Sequence, residues 1–193
     1  HEGIETEKDG YLSDLYFVEP SLTPVPTTTP GLKQNEIFLD GVWRIYPNPP
    51  QGFETSSADS PGWSDFTVPG QWLQQGHDIP RDATVAVAAD FNVPESWRGM
   101  ITHLRFEAVH GGANYWLNGQ PIGSSQNLFT PVELDVTCAA RYGEKNHLFM
   151  TMVVGTPSEL MSFSSNYAFH NLGGIDRSVR IFALPPVHFT EAH

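Results

Sequence analysis

The chain has 193 residues, 39% hydrophobic and 17% charged, with 16 Pro and 17 Gly; it is long enough for one domain with its own core, built from strands and turns rather than helices. A formal net charge of −12, with only 10 scattered Lys and Arg, argues against nucleic acid or an anionic membrane surface as partner. The lone Cys138 excludes an internal disulfide and a Cys-based zinc cluster, and no apolar run approaches the roughly 20 residues of a membrane span.

Residues 1–36 differ from the rest. The opening "HEGIETEKDG" has no apolar signal-peptide core, and "EPSLTPVPTTTPG" (19–31) favours an extended, partly polyproline-like path. The apolar group Tyr11, Leu12, Leu15, Tyr16 and Phe17 argues that part of this leader docks on the domain. A Pro/Thr-rich leader fits an extracytoplasmic protein, periplasmic or secreted, better than a cytoplasmic one.

From residue 37 onward short strand-like segments alternate with turns. "EIFLDGVWRIY" (36–46) contains Asp-Gly, a hairpin dipeptide, and Trp43 in it reads as core. Trp63, Trp72 and His77 stand in turn-rich polar surroundings, "SPGWSDF" and "VPGQWLQQGHD". "MITHLRFEAV" (100–109) alternates, with Met100, Thr102, Leu104, Phe106 and Ala108 on one face and Ile101, His103, Arg105, Glu107 and Val109 on the other. In "NYWLNGQPIG" (114–123) the Asn118-Gly119 pair predicts a tight hairpin, because both central residues of a type I′ turn need φ > 0. "HLFMTMVV" (147–154) and "SVRIFALP" (178–185) complete the strand-like segments, and no amphipathic helix longer than two turns is found. Many short strands with regular turn signals predict an all-β antiparallel sandwich or barrel. The exit through Pro185-Pro186 marks a domain boundary, with a linker beginning at 189–193 and a further domain expected beyond it.

The chemistry-bearing residues are sparse. A glycosidase site needs two carboxyls at a defined separation. Glu107, Glu133 and Asp135 lie in or near strands, but solvation of a surface is the expected role of each. No nucleophile elbow, metal-binding His-Glu-x-x-His, phosphate loop or dinucleotide fingerprint is present, and the eight His are unclustered. No metal or other cofactor is expected, and no run of oxygen ligands supports a structural calcium. Sugar sites place aromatic faces against C–H patches and add a few polar groups that orient hydroxyls. Trp63, Trp72 and His77 are candidates for such a platform, with core or edge packing as the competing reading of each Trp.

The segments "VPGQWLQQGHD" (68–78), "FNVPESWRGMITHLRFEAVHGGANYWLNGQPIGSSQNLFTPVELDVT" (91–137) and "NLGGIDRSVRIFALP" (171–185), with "FLDGVWRIY" (38–46), occur in order at sensible spacing. Together they resemble the N-terminal sugar-binding domain of family-2 glycoside hydrolases, the β-galactosidase and β-glucuronidase group, over roughly residues 37–188. The resemblance implies a jelly-roll sandwich of the galactose-binding-domain type. It also implies that an immunoglobulin-like domain and a catalytic (β/α) barrel follow, the barrel carrying both catalytic glutamates of a retaining exo-glycosidase. This chain would then be a non-catalytic domain that scaffolds the barrel and contacts carbohydrate. Asn118, Gly119, Gly123 and Arg177 match the structural signature of the family, Arg177 tying the last strands together. Where bacterial-type relatives carry a substrate-reaching loop with Gly-x-Tyr and Asn, segment 79–91 has neither; where they carry an Asp-x-Trp-like segment before "GI-x-R", residues 164–177 have neither Asp before Gly173 nor Trp. Asn166 and His170 are the residues there able to hydrogen-bond a hydroxyl. An independent carbohydrate-binding module, and a purely structural or interaction domain, are the other functions to be tested.

Overall fold

A computed structural model of the chain describes residues 22–80, 83–127, 130–153, 155 and 173–187. Its strands are β1 (Glu36–Phe38), β2 (Gly41–Pro47), β3 (Ser64–Val68), β4 (Gly70–Gln71), β5 (Thr84–Asn92), β6 (Ile101–Phe106) and β7 (Val109–His110), then β8 (Gly112–Leu117), β9 (Gln120–Ser125), β10 (Val132–Asp135), β11 (Lys145–Val153), β12 (Gly174–Ile175) and β13 (Val179–Leu184). They form a six-stranded sheet in the order β3-β2-β5-β11-β8-β9 and a four-stranded sheet in the order β1-β13-β6-β10, with antiparallel ladders. A third, small sheet, β4-β12-β7, takes one short strand from just after β3, β6 and the 156–172 segment, and so stitches one end of the sandwich. This is the antiparallel jelly-roll sandwich that the resemblance implies, and one of the two architectures that the strand-and-turn pattern predicts. Among the described residues no helix is long and apolar enough to cross a membrane, and no group of three or more potential metal ligands occurs.

The core lies between the two large sheets. Trp43 and Ile45 of β2, Val85 and Val87 of β5, Leu148, Met150 and Met152 of β11, and Tyr115 and Leu117 of β8 face Leu104 and Phe106 of β6 and Val179 and Ile181 of β13. Each large apolar side chain buried this way contributes roughly 1.5–3 kcal/mol. In 100–106 the predicted face of Thr102, Leu104 and Phe106 is the inner one.

Two local expectations are corrected. Asp40-Gly41 does not close a hairpin: β1 pairs with β13 and β2 with β3 and β5, so the dipeptide carries the chain from one sheet to the other. The Asp40 carboxylate accepts from Ser178 Oγ at 2.8 Å and Val179 N at 2.9 Å, which anchors the crossing to β13 instead of folding it on itself. The stretch 79–91 is not a loop over most of its length: β5 runs nine residues through the middle of the large sheet. Its Val85 and Val87 enter the core, while Ala86 and Ala88 face outward beneath the 48–63 loop, where Phe53 and Trp63 cover them. Burial on both faces erases the polar alternation that marks a half-exposed strand.

A described part of the leader lies on the outer face of the four-stranded sheet. Thr29 Oγ1 donates to Ala183 O at 3.2 Å, Ala183 N to Asn35 O at 2.8 Å, and Trp97 Nε1 to Gln34 O at 2.8 Å.

Candidate functional site

The outer face of the six-stranded sheet carries a cleft of about 680 Å³. Its floor follows from register. Arg44, Ala88, Phe149 and Trp116 stand side by side on β2, β5, β11 and β8, all facing outward. Ala88 is the small member of that row and leaves the depression. One step along, Asp90 of β5 lies opposite His147 of β11. The walls are the loop 54–59, the hairpin tip Asn118-Gly119 and the segment carrying Arg141 and Lys145.

Each wall has a physical anchor. Arg44 staples the loop to the sheet: Nε donates to Ala58 O at 3.2 Å, a terminal nitrogen donates to Trp63 O at 3.1 Å, and the other pairs with Asp65. Behind that loop Trp63 packs edge-on against Tyr46 at 5.5 Å and against Phe149 at 5.9 Å between ring centres. Asn118 and Gly119 have φ of 54° and 79°, the pair of positive values a two-residue primed turn requires. The Asn118 side chain then reaches sideways. Its Nδ2 donates to Ala139 O at 2.8 Å and Asn146 Oδ1 at 2.9 Å, and its Oδ1 accepts from His147 N at 3.0 Å. Asn146, fully buried, holds Arg141 from both sides, accepting from its N and donating to its O at 2.8 Å each. The hairpin therefore positions the whole wall that carries Arg141, Lys145 and His147.

The polar groups of the cleft alternate in sign. Asp90 Oδ1 accepts from His147 Nδ1 at 2.8 Å and its other oxygen lies 3.3 Å from Lys145 Nζ. Glu54, Asp59 and Arg141 line the same space, and among the described residues their side chains have no ion pair or hydrogen bond. A second, smaller hollow of about 230 Å³ shares Val42, Trp43, Ala89 and Asp90 with the first and runs on to Phe38 and Phe91. Phe38 and Val42 are 56% and 70% exposed there.

The aromatics singled out from sequence do not gather on one surface. Trp72 is fully buried in the main core, with its ring against the Gly173 backbone; a Cβ on Gly173 would lie 1.9 Å from the indole. Trp63 belongs to the separate outer cluster and is 8% exposed. Neither ring shows a sugar an open face, so packing is the role the structure gives both. His77 is half-buried, with Nε2 3.0 Å from Asp65 O and its ring against Phe66. Asn166 and His170 lie outside the described residues. Gly123 stands opposite Tyr115 with φ 150°, beside a register shift in the β8–β9 ladder. Arg177 is exposed, and among the described residues its side chain has no partner. Arg180 is the residue that ties strands together, bridging Glu36 of β1 at 2.8 Å and Glu107.

The three carboxylates considered for catalysis are otherwise engaged. Glu107 pairs with Arg180, and Asp135 Oδ1 accepts from Thr137 N at 2.9 Å. Glu133 does not solvate a surface: it is 8% exposed, beneath the leader. It accepts from Arg105 Nε at 2.8 Å, His103 Nδ1 at 2.6 Å and Thr23 N at 3.2 Å, while Arg105 also donates to Thr23 O. Burial raises the Glu133 pKa, but the bonds from His103, Thr23 and Arg105 outweigh it and hold the carboxyl down at about 2. Such a group stays ionised and cannot donate the proton that glycosidic cleavage requires.

Arg44, Asp90, Lys145 and His147 were not singled out from sequence. Asp90 and His147 are 57 positions apart and meet through the β5–β11 register, which no local pattern reveals. The small residues alternating with Val in "TVAVAAD" are the one local sign that something packs close above β5.

The chain is thus an antiparallel jelly-roll sandwich with a polar cleft on the outer face of its six-stranded sheet. Residues 48–185 match the sequence profile described as glycosyl hydrolases family 2, sugar binding domain, and the chain belongs to that family. A β-galactosidase of Psychromonas ingrahamii is 28% identical over 171 residues, covering 77% of this chain and 16% of that protein. A β-glucuronidase of Formosa agariphila is 22% identical over 165 residues, covering 77% and 17%. Among solved structures, Ruminococcus gnavus β-glucuronidase in complex with uronic isofagomine superposes with a TM-score of 0.72 at 21% identity, over 88% of this chain and 31% of that one. The likeness to that structure is one of fold. The chain spans less than a quarter of the length of these curated relatives.

Proposed function

We propose that the chain is the non-catalytic sugar-binding and scaffolding domain of a larger retaining exo-glycosidase of the β-galactosidase or β-glucuronidase kind. In this reading residues 37–188 form the domain, the leader 1–36 is an extension that docks on it in part, and a linker from 189 leads to an immunoglobulin-like domain and a catalytic (β/α) barrel. The observation that carries the reading is the commitment of Glu107, Glu133 and Asp135 to ion pairs and backbone donors. A glycosidase keeps one carboxyl protonated and poised; here Glu133, the most enclosed of the three, is held ionised by its donors. The lengths of the relatives support placing the chemistry elsewhere in a longer protein.

The test is hydrolysis of p-nitrophenyl β-galactoside and β-glucuronide by the purified chain. No turnover above buffer is expected. Turnover that co-purifies with the chain through successive columns would sink the reading. Isothermal titration with galactose, glucuronic acid, mannose and rhamnose then asks whether the domain binds sugar by itself. Saturable heat from one of them would favour an independent binding module, the reading that the outer cleft supports.

A further inference from the structure

The cleft over β5 and β11 has no assigned role, and its construction points to a ligand. We propose that the trough running from Phe38 past Asp90 to the Asn118-Gly119 hairpin binds a short segment of an oligosaccharide chain. The inference rests on the sugar-binding reading above and deepens it by naming the surface.

Shape is the first argument. The main hollow, about 680 Å³, falls within the roughly 300–1,000 Å³ usual for small-ligand sites. The second hollow prolongs it along the sheet, because four residues line both. A pair of joined hollows fits consecutive rings of a chain better than a single compact ligand. It also differs from a protein interface, which needs a broad face of roughly 800 Å² per partner.

Chemistry is the second. Hydroxyl groups both donate and accept, so a sugar is met best by donors and acceptors interleaved. Arg141 and Lys145 donate; Glu54, Asp59 and Asp90 accept. Three of the chain's 10 Lys and Arg (Arg44, Arg141 and Lys145) line this one cleft in a protein of net charge −12. Arg44 is paired with Asp65, so Arg141 and Lys145 are the cations that offset the three cleft carboxylates. At the far end the exposed Phe38 ring supplies an apolar face for the C–H side of a pyranose.

Construction is the third. The Asn118 and Asn146 bonds hold the Arg141–His147 wall, and Arg44 holds the opposite loop. A site preorganised in this way loses little freedom on binding. The side chains of Glu54, Asp59 and Arg141 make none of the described hydrogen bonds or ion pairs, so they can be truncated with the backbone bonds of the fold intact.

The experiment is an NMR titration of the ¹⁵N-labelled whole chain with β-1,4-galactotriose, cellotriose and trigalacturonic acid to millimolar concentration. The expected result is saturable shifts in the amides of Asp90, Asn118, Gly119, Lys145 and His147 with at least one probe. A preference for trigalacturonic acid would assign the contact to Arg141 and Lys145, and a neutral preference to the carboxylates. Arg141→Ala and Asp59→Ala should weaken that binding about tenfold at unchanged Tm, and Phe38→Ala should weaken the trisaccharide more than the monosaccharide. No shift with any probe would overturn the proposal, as would shifts confined to residues 173–177. So would cleft shifts that follow protein concentration without sugar, which would mark the face as a contact between copies of the chain. None of these failures touches the non-catalytic reading, which the hydrolysis assay decides separately.

Discussion

The Glu133 carboxylate collects donors from three parts of the chain: Arg105 and His103 on β6 and the backbone of Thr23 in the leader. Its pKa is lowered from an ordinary 4.5 to about 2, so its contribution to stability is present above pH 4.5 and lost as the pH falls towards 2. Urea unfolding measured across that window should show the loss, and Glu133→Gln should flatten it. At neutral pH the same substitution should cost about 3 kcal/mol, because it leaves the Arg105 guanidinium buried without a counter-charge. Gly173 makes the second prediction at this scale. Its position against Trp72 is a steric one, with 1.9 Å between an added Cβ and a ring that is fully buried. Gly173→Ala should destabilise by about 3 kcal/mol through overpacking, read as a lowered urea midpoint with the m-value unchanged.

At the level of elements, the Asn118-Gly119 hairpin does two things that are separable. It reverses the chain between β8 and β9, and through its side chain it holds the 138–147 segment. Asn118→Gly keeps the positive φ and removes the bonds, whereas Asn118→Ala loses both. Amide exchange should therefore quicken at His147, whose N–H points at Asn118 Oδ1, in both variants. The Ala variant should be less stable than the Gly variant by about 1 kcal/mol, the cost of a non-Gly residue in the left-handed region. Equal stability of the two would mean that the turn geometry carries little and the side-chain bonds nearly all of the effect.

Across the whole molecule, both large sheets are covered on their outer faces, by different means. The described part of the leader lies over β6, β10 and β13, and the 48–63 loop lies over β5 and β11, with the cleft where the loop stops short. This layering explains how a strand such as β5 is buried on both sides in a sandwich of antiparallel strands, and why charged residues such as Arg105 and Glu133 are buried without being in the core.

The amino-acid sequence by itself determined the class of fold, the alternation of β6, the turn at Asn118-Gly119 and the family. Each of these is written in neighbouring residues: period-two hydrophobicity, a dipeptide with the right φ preference, motifs in order. The same reasoning misread Asp40-Gly41 as a hairpin and Glu133 as a surface carboxylate, and the resemblance put a loop at 79–91 where β5 runs. It left open whether Trp63 and Trp72 pack or bind. Those questions turn on what lies above a sheet face. Trp72 is enclosed because Gly173, about a hundred residues away in the chain, meets it, and Asp90 finds His147 because β5 and β11 run side by side. A local sequence pattern reports which side of a strand is apolar. What covers that side, and where the covering ends in a cleft, was decided by tertiary contacts between distant segments.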